Sequence, residues 1–293
     1  MFLLNYKKKV IKVNFETIKF ELKENGIGIL SLNRPEKLNA INFQMEKELH
    51  EVFDHLMVNL DCRVVILRAE GRVFCAGTDL QEALILNTKK KPEGYEKYYF
   101  LNVSEPIKKK MYHQWRISSI FIKMRKISQP IIALVHGAAA GGGFGFAMAS
   151  DMRIVGADVK FINASINIGL TGADVGGSYF LPRLIGLSRA SEIMYTGRQV
   201  GAEESVKIGL ALKSVESKDL LESGLELANE MLKKSPLGLR MTKQSLNLTL
   251  DSPSLETICQ LENSSIVLTF SSKDMNEASA AFFGKKDPKY PLR

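Results

Sequence analysis

One stretch, Ile131 to Ile154 (IIALVHGAAAGGGFGFAMASDMRI), constrains the fold more than any other. Ile131 to Val135 is an unbroken apolar run of the kind that forms a fully buried strand. Ala138 to Gly143 contains only alanine and glycine, so this backbone can pass close to another. Phe144 to Ala149 then reads as a buried helix. A strand that turns through small residues into a helix is a building unit of α/β folds. It also leaves the first N–H groups of the helix, that of Gly142 among them, unpaired and partially positive. An amide placed there suits an oxygen that becomes negatively charged during a reaction.

The twenty residues from Ile131 to Ser150 carry no formal charge apart from His136, which is the length of a membrane span. Five of them are glycine, Pro130 precedes them, Asp151 and Arg153 follow, and no second span exists, all of which argues against that role. A chain of 293 residues fits one large domain, or one domain with an appendage. Its 45% hydrophobic and 25% charged residues match an ordinary globular protein. Cys62, Cys75 and Cys259 are too few and too scattered for a disulfide framework, and no CxxC or clustered His/Cys spacing suggests a metal. A reducing cytoplasm suits such a chain, and the apolar residues of MFLLNYKKK precede its lysines, the reverse of a secretion signal. The net charge of +8 is compatible with nucleic acid, an anionic surface or a phosphorylated ligand. Its lysine runs at 7–9, 89–91 and 108–110 are dispersed, however, and no nucleic-acid motif accompanies them.

Thr17 to Lys23 and Gly28 to Leu32 read as strands joined by the turn residues Glu24-Asn25-Gly26. Met45, Leu49, Val52, Phe53 and Leu56 share one face of a helix starting at Asn42. Arg63 to Arg68 is a buried-type strand, and Gln81 to Pro106 is polar and irregular. Helical spacing resumes over Lys108 to Lys126, where Met111, Trp115, Ile120, Phe121 and Met124 are expected in the core. Beyond the glycines, Met152 to Val155 and Val159 to Ile162 are expected to pair about Gly156-Ala157-Asp158, with Asn163 to Gly177 as loop. Helices are expected over Gly177 to Ile185, Ser188 to Tyr195 and Glu203 to Ile208. Four more follow, over Leu220 to Lys233, Ser235 to Asn247, Pro253 to Thr269 and Lys273 to Phe283. The shift in composition near residue 215 divides the chain into a mixed α/β core over 1–215 and a helical region over 216–293.

Val73 to Leu80 repeats the form of Val135 to Ala147: an apolar approach, small residues, then a helix start. Two such segments facing each other offer two backbone donors to one oxygen. Asn33-Arg34-Pro35, then Phe74-Cys75-Ala76-Gly77-Thr78-Asp79-Leu80, then the triple glycine, then Leu181-Pro182-Arg183-Leu184-Ile185-Gly186 resemble, in order and spacing, the enoyl-CoA hydratase/isomerase, or crotonase, family. The resemblance runs from about Thr17 to Pro288. It implies an α/β fold of repeated ββα units wound in a crotonase-like spiral, with a helical C-terminal region for lid or oligomer contacts and assembly into homotrimers or paired trimers. It also implies an acyl-CoA thioester as substrate, with CoA part of that substrate and no separate cofactor. By position within the motifs, the oxyanion-hole donors map to the N–H groups of Thr78 and Gly142. Substrate contacts map to Ala40, Ala76, Asp79, Leu80, Gly141 and Ser165, and CoA-phosphate contacts to Lys37, Lys285 and Lys286.

The acid–base positions depart from the family pattern. Its hydratases carry one glutamate two residues after the triple glycine and another beyond the next strand pair, where this chain has Gly145 and Ser165. Asp174, in Gly172-Ala173-Asp174-Val175-Gly176-Gly177, resembles an aspartate of dienoyl-CoA isomerases. It has two readings, a proton-transferring carboxylate or a cap for the helix that follows. Asp79 reads as a turn or cap residue, His136 as a packed or hydrogen-bonded histidine and Asp151 as a loop anchor. Three functions remain open: an acyl-CoA-transforming enzyme of the hydratase/isomerase type, an enoyl- or dienoyl-CoA isomerase with Asp174 as sole carboxylate, and a non-catalytic acyl-CoA-binding protein.

Overall fold

A computed structural model describes residues 11–85, 104–251, 254–270 and 272–290. Strands β1 (Ile11–Asn14), β2 (Ile18–Leu22) and β3 (Ile27–Leu32) run antiparallel, and the turn at 24–26 closes β2 onto β3 with Gly26 at a φ of +92°. Helix α1 (Phe43–Val58) begins where the Asn42 side chain accepts the Met45 N–H at 2.9 Å. It buries Met45, Leu49, Val52, Phe53 and Leu56, the face that the spacing marks. Strand β4 (Val64–Ala69), helix α2 (Leu80–Ile85) and helix α3 (Glu105–Lys126) follow. Next come β5 (Ile131–Val135), β6 (Ala138–Ala140), α4 (Gly142–Ala149), β7 (Met152–Gly156), β8 (Lys160–Ile162) and the short α5 (Ala164–Asn167). The chain continues through α6 (Gly177–Ile185), α7 (Leu187–Thr196), β9 (Gln199–Val200), α8 (Ala202–Lys207) and β10 (Lys213–Val215). It ends in α9 (Leu220–Leu232), α10 (Pro236–Thr249), α11 (Leu255–Phe270) and α12 (Lys273–Phe283).

Seven strands form one sheet in the order β1-β2-β3-β4-β5-β7-β10, and three form a second in the order β6-β8-β9. Successive turns of the chain share one plan: β4, β5 and β7 lie parallel in the large sheet, and the residues after each lie parallel in the second layer. There Cys75 bridges to Ala139 and β6 pairs with β8. A helix then returns the chain, which gives a spiral of ββα turns.

The structure corrects four local expectations. Met152 to Val155 and Val159 to Ile162 do not pair with each other, because at Gly156 the chain crosses from the large sheet to the small one. It copies the β5-to-β6 crossing beside it, and Lys160 N–H donates to Gly137 O at 2.8 Å. The expected loop from Asn163 to Gly177 contains α5. The expected irregular stretch from Gln81 to Pro106 contains most of α2 and the start of α3, while 86–103 lies outside the described residues. On α3 itself, Met111 and Trp115 face outward at 45% and 50% exposure, and the buried stripe runs through Tyr112, Ile117, Ile120, Phe121 and Met124.

The large sheet is covered on both faces, which is why its central strands read as unbroken apolar runs. On one side Leu220 and Ala228 of α9 pack with Ile27, Val64, Ile66, Ile132, Leu134 and Ile154. On the other, α1, α3 and α4 share a core that includes Leu49, Phe53, Val65, Leu67, Phe121, Ala133 and Phe146. Helix α10 is fastened by a buried charge. Lys243 Nζ lies 2.9 Å from Asp151 Oδ2 and donates to Met124 O at 3.1 Å and Gln129 O at 2.7 Å. Asp151 also accepts the Ile131 N–H at 2.8 Å and pairs with Arg125 at 2.9 Å, the anchor expected of it. Among the described residues, no helix is long and apolar enough to cross a membrane.

Candidate active site

The two segments rich in small residues meet. Cys75 N–H donates to Ala138 O at 3.0 Å, and Cys75 O accepts the Ala140 N–H at 2.9 Å. Two residues later the strand has changed partner: Gly77 O accepts from Ile41 N–H at 2.8 Å, and Asp79 N–H donates to Ile41 O at 2.9 Å. Successive amides of an extended strand point to opposite sides, so the Thr78 N–H between these two bonds points away from Ile41. The start of α4 packs against the same segment, since a Cβ on Gly77 would lie 2.9 Å from Ala140 O and 3.4 Å from Gly142 N. Gly77 takes a φ of +97° and Gly141 one of +49°, conformations that favour glycine. Among the described residues, neither the Thr78 N–H nor the Gly142 N–H donates to another group of the chain.

Helix α4 is buried throughout and carries no charged residue, so the positive character at Gly142 is that of the helix end itself. Beneath it, burial pushes the Cys75 thiol up to about 12, which leaves no thiolate near neutral pH.

The loop before Ile41 is held rigidly. Asn39 is fully buried at a φ of +53°; its side chain accepts the Arg34 N–H at 2.8 Å and donates to Glu70 O at 2.8 Å and Val73 O at 3.0 Å. Arg34 pairs with Asp79 Oδ2 at 3.2 Å, and Ala76 N–H donates to Leu38 O at 3.0 Å. These contacts gather Ala40, Ala76, Asp79, Leu80 and Gly141 around Thr78 and Gly142, with Lys37 exposed on the same loop. Asp79 Oδ1 also accepts the Gln81 N–H at 3.2 Å, the turn role its motif suggests. His136 bonds Gly71 O through Nε2 at 2.8 Å. Lys285 and Lys286 are exposed just beyond α12, which is anchored to the start of α10 where Asp274 Oδ2 accepts from Ser235 Oγ at 2.9 Å and Leu237 N–H at 3.1 Å.

One helical turn beyond Gly142, the Gly145 position is closed. A Cβ there would lie 2.8 Å from Phe121 Cζ and 2.9 Å from Val175 Cβ. The residue next to Val175 is the half-buried Asp174. Its Oδ2 accepts from Ser165 Oγ at 3.1 Å, and its Oδ1 accepts the Val175 N–H at 2.8 Å and a hydrogen of the Gln114 amide. Neither oxygen caps α6, whose N-cap is Gly176; only the Asp174 carbonyl takes part, accepting the Gly177 N–H at 2.7 Å. The side-chain cap is therefore ruled out. Ser165 is buried, with its hydroxyl directed to this carboxylate. Nothing in the sequence singled out Gln114; the available signal was its place on α3 seven residues before Phe121, two turns along one face.

A family model described as enoyl-CoA hydratase/isomerase matches residues 22–292. The chain is 36% identical over 236 residues to a probable enoyl-CoA hydratase of Mycobacterium tuberculosis, covering 80% of this chain and 79% of that protein. It is 30% identical over 270 residues to the 1,2-epoxyphenylacetyl-CoA isomerase of Escherichia coli K12, covering 91% and 95% of the two chains. The crystal structure of a probable enoyl-CoA hydratase/isomerase from Mycobacterium abscessus matches with a TM-score of 0.81 at 30% identity, over 95% of this chain and 100% of that one.

Proposed function

Because the chain belongs to the enoyl-CoA hydratase/isomerase family, whose members transform acyl-CoA thioesters, we propose that it shifts a double bond within an unsaturated acyl-CoA. In this reading the Thr78 and Gly142 N–H groups hold the thioester oxygen, and Asp174 carries the proton.

The observation that carries this reading is the closed position at Gly145. Activating a water for addition uses a pair of carboxylates in the family's hydratases; here Phe121 and Val175 fill one place and the Ser165 hydroxyl takes the other. Asp174 is the carboxylate that remains. It removes a proton from C2 of a 3-enoyl thioester, and the C–H electron pair moves toward the carbonyl, whose oxygen becomes an enolate held by the two amides. The same carboxylic acid returns the proton to C4, and the double bond ends between C2 and C3. Nothing is consumed, and one preorganised donor of this kind is worth about 10²–10³ in rate. The apolar wall of Phe121 and Val175 favours proton transfer over attack by water.

The +8 charge, with Lys37, Lys285 and Lys286 exposed, supports binding of the CoA phosphates. Leu255, Ile266, Val267, Leu268, Phe282 and Phe283, exposed on α11 and α12, support assembly with further copies as trimers or paired trimers.

The test is turnover of saturated, 2-enoyl, 3-enoyl and dienoyl thioesters in parallel, followed through the conjugated-thioester chromophore, for the wild type and Asp174→Asn. Conversion of a 3-enoyl or dienoyl substrate is expected, with a loss of at least about 10²-fold in the variant. Tight CoA binding without turnover of any substrate, or a 3-hydroxyacyl thioester as the main product, overturns the reading. The second outcome would instead favour water addition, the activity in the name of the mycobacterial relative.

A further inference from the structure

We propose that Gln114 and Ser165 are positioning residues that leave a single lone pair of Asp174, on Oδ2, free to carry the substrate proton. The inference rests on the reading of Asp174 as the proton carrier.

A carboxylate offers about four lone-pair sites, two on each oxygen. Oδ1 of Asp174 is saturated: the Val175 N–H takes one site and the Gln114 amide the other. Oδ2 has accepted one bond, from Ser165 Oγ. Its second site is the only one left among the described contacts, so the proton that leaves C2 bonds to Oδ2. It departs from there to C4, and the carboxylate is restored.

The backbone around Asp174 does not hold the side chain unaided. Asp174 lies in the non-helical stretch between α5 and α6, followed by Val175 at a φ of +47° and Gly176 at +77°. A buried, β-branched residue in the left-handed region is a genuine outlier that the surroundings must enforce. The consequence of this conformation is visible: the Val175 side chain enters the space at Gly145, while Asp174 is left to neighbours from two other elements. One is Ser165 of α5, at the position where a hydratase would carry its second glutamate. The other is Gln114 of α3, on the face that also delivers Phe121. Helix α3 therefore closes one acid position with Phe121 and orients the surviving acid with Gln114.

The test compares the full-length wild type with Gln114→Ala, Ser165→Ala, Ser165→Thr and Asp174→Asn. For each protein kcat and KM are measured on the turned-over thioester, together with the Kd of a saturated acyl-CoA by calorimetry. Because a displacement of about 1 Å costs on the order of 10²-fold, each alanine variant is expected to lose about 10- to 100-fold in kcat. KM and Kd should stay within about twofold. Ser165→Thr keeps the hydroxyl and is expected to recover most of the rate. The double alanine variant should lose less than the product of the single losses, because both residues act on one carboxylate.

Wild-type kcat in both alanine variants, or losses confined to KM and Kd, overturns the proposal. If Asp174→Asn is inactive while both alanine variants are fully active, only this proposal fails. If Asp174→Asn turns over normally, the underlying reading fails with it. Should Ser165→Ala not fold, Gln114→Ala decides alone, since Gln114 is an exposed residue.

Discussion

Replacing Gly143 with alanine tests whether the close meeting of the two small-residue segments sets the rate. The added Cβ would stand 2.2 Å from Cys75 O, 2.8 Å from Cys75 Cβ and 2.9 Å from Cys75 C. All three contacts are to the backbone or Cβ of one residue, so no rotamer change relieves them. Cys75 must retreat by roughly 1 Å to restore an ordinary contact. Its two bonds to the β6 segment, at 3.0 and 2.9 Å, resist that movement. Overpacking of this kind costs about 1–3 kcal/mol of stability. With Thr78 and Gly142 holding the thioester oxygen, as proposed, the larger effect falls on catalysis, because Thr78, three residues beyond Cys75, shifts relative to Gly142. A misplacement of about 1 Å is worth on the order of 10²-fold in rate. Urea unfolding measures the first quantity, and kcat/KM on the turned-over thioester measures the second. An alanine variant with native stability and wild-type kcat would refute the reasoning, since the two amides would then tolerate separation.

Two further predictions rest on buried groups. Gly145→Glu supplies the carboxylate of a hydratase in sequence but not in space, because its Cβ would lie 2.8 Å from the Phe121 ring and 2.9 Å from Val175 Cβ. It is expected to destabilise the protein by at least about 1–3 kcal/mol without producing 3-hydroxyacyl thioester, and measurable hydration would contradict this. Burial lowers Lys243 from its ordinary 10.5 to about 8, against the opposing pull of Asp151. Between those values the folded protein has released a proton that the unfolded chain still holds, so stability from this group rises with pH, by up to about 1.4 kcal/mol per pH unit. Lys243→Met should lack that rise when urea midpoints at about pH 7.5 and 9.5 are compared; parallel behaviour of the two proteins would argue against it.

The parts of the fold legible in the sequence are those with an unambiguous burial period or a forced conformation. Met45 to Leu56 marks α1 by spacing alone, and α6 is bounded by Gly176 and Gly186, both at positive φ. The two small-residue segments are legible because only small residues permit the approach seen at Gly77 and Gly143. Strands β9 and β10, of two and three residues, are too short to show any period. The β7 and β8 segments look locally like a hairpin, yet their partners are set by neighbouring turns of the spiral. On α3 the apolar residues are too many for one face, so spacing does not tell Trp115 outside from Phe121 inside. The sequence shows at Gly145 that an acid is missing, but only packing shows that its place is filled. In the same way the sequence does not show that the Asp174 carboxylate accepts a hydrogen bond from Gln114, sixty positions away in the chain.

The most direct measurement follows the proton itself. A 3-enoyl thioester deuterated at C2 is converted in ordinary water, and the product is examined for deuterium at C4. With one carboxylate removing and returning the proton, part of the label should appear at C4, on a single face, and Asp174→Asn should abolish the conversion. A product whose C4 hydrogen comes wholly from solvent, formed at an undiminished rate by Asp174→Asn, would contradict a single-carboxylate isomerisation at this site.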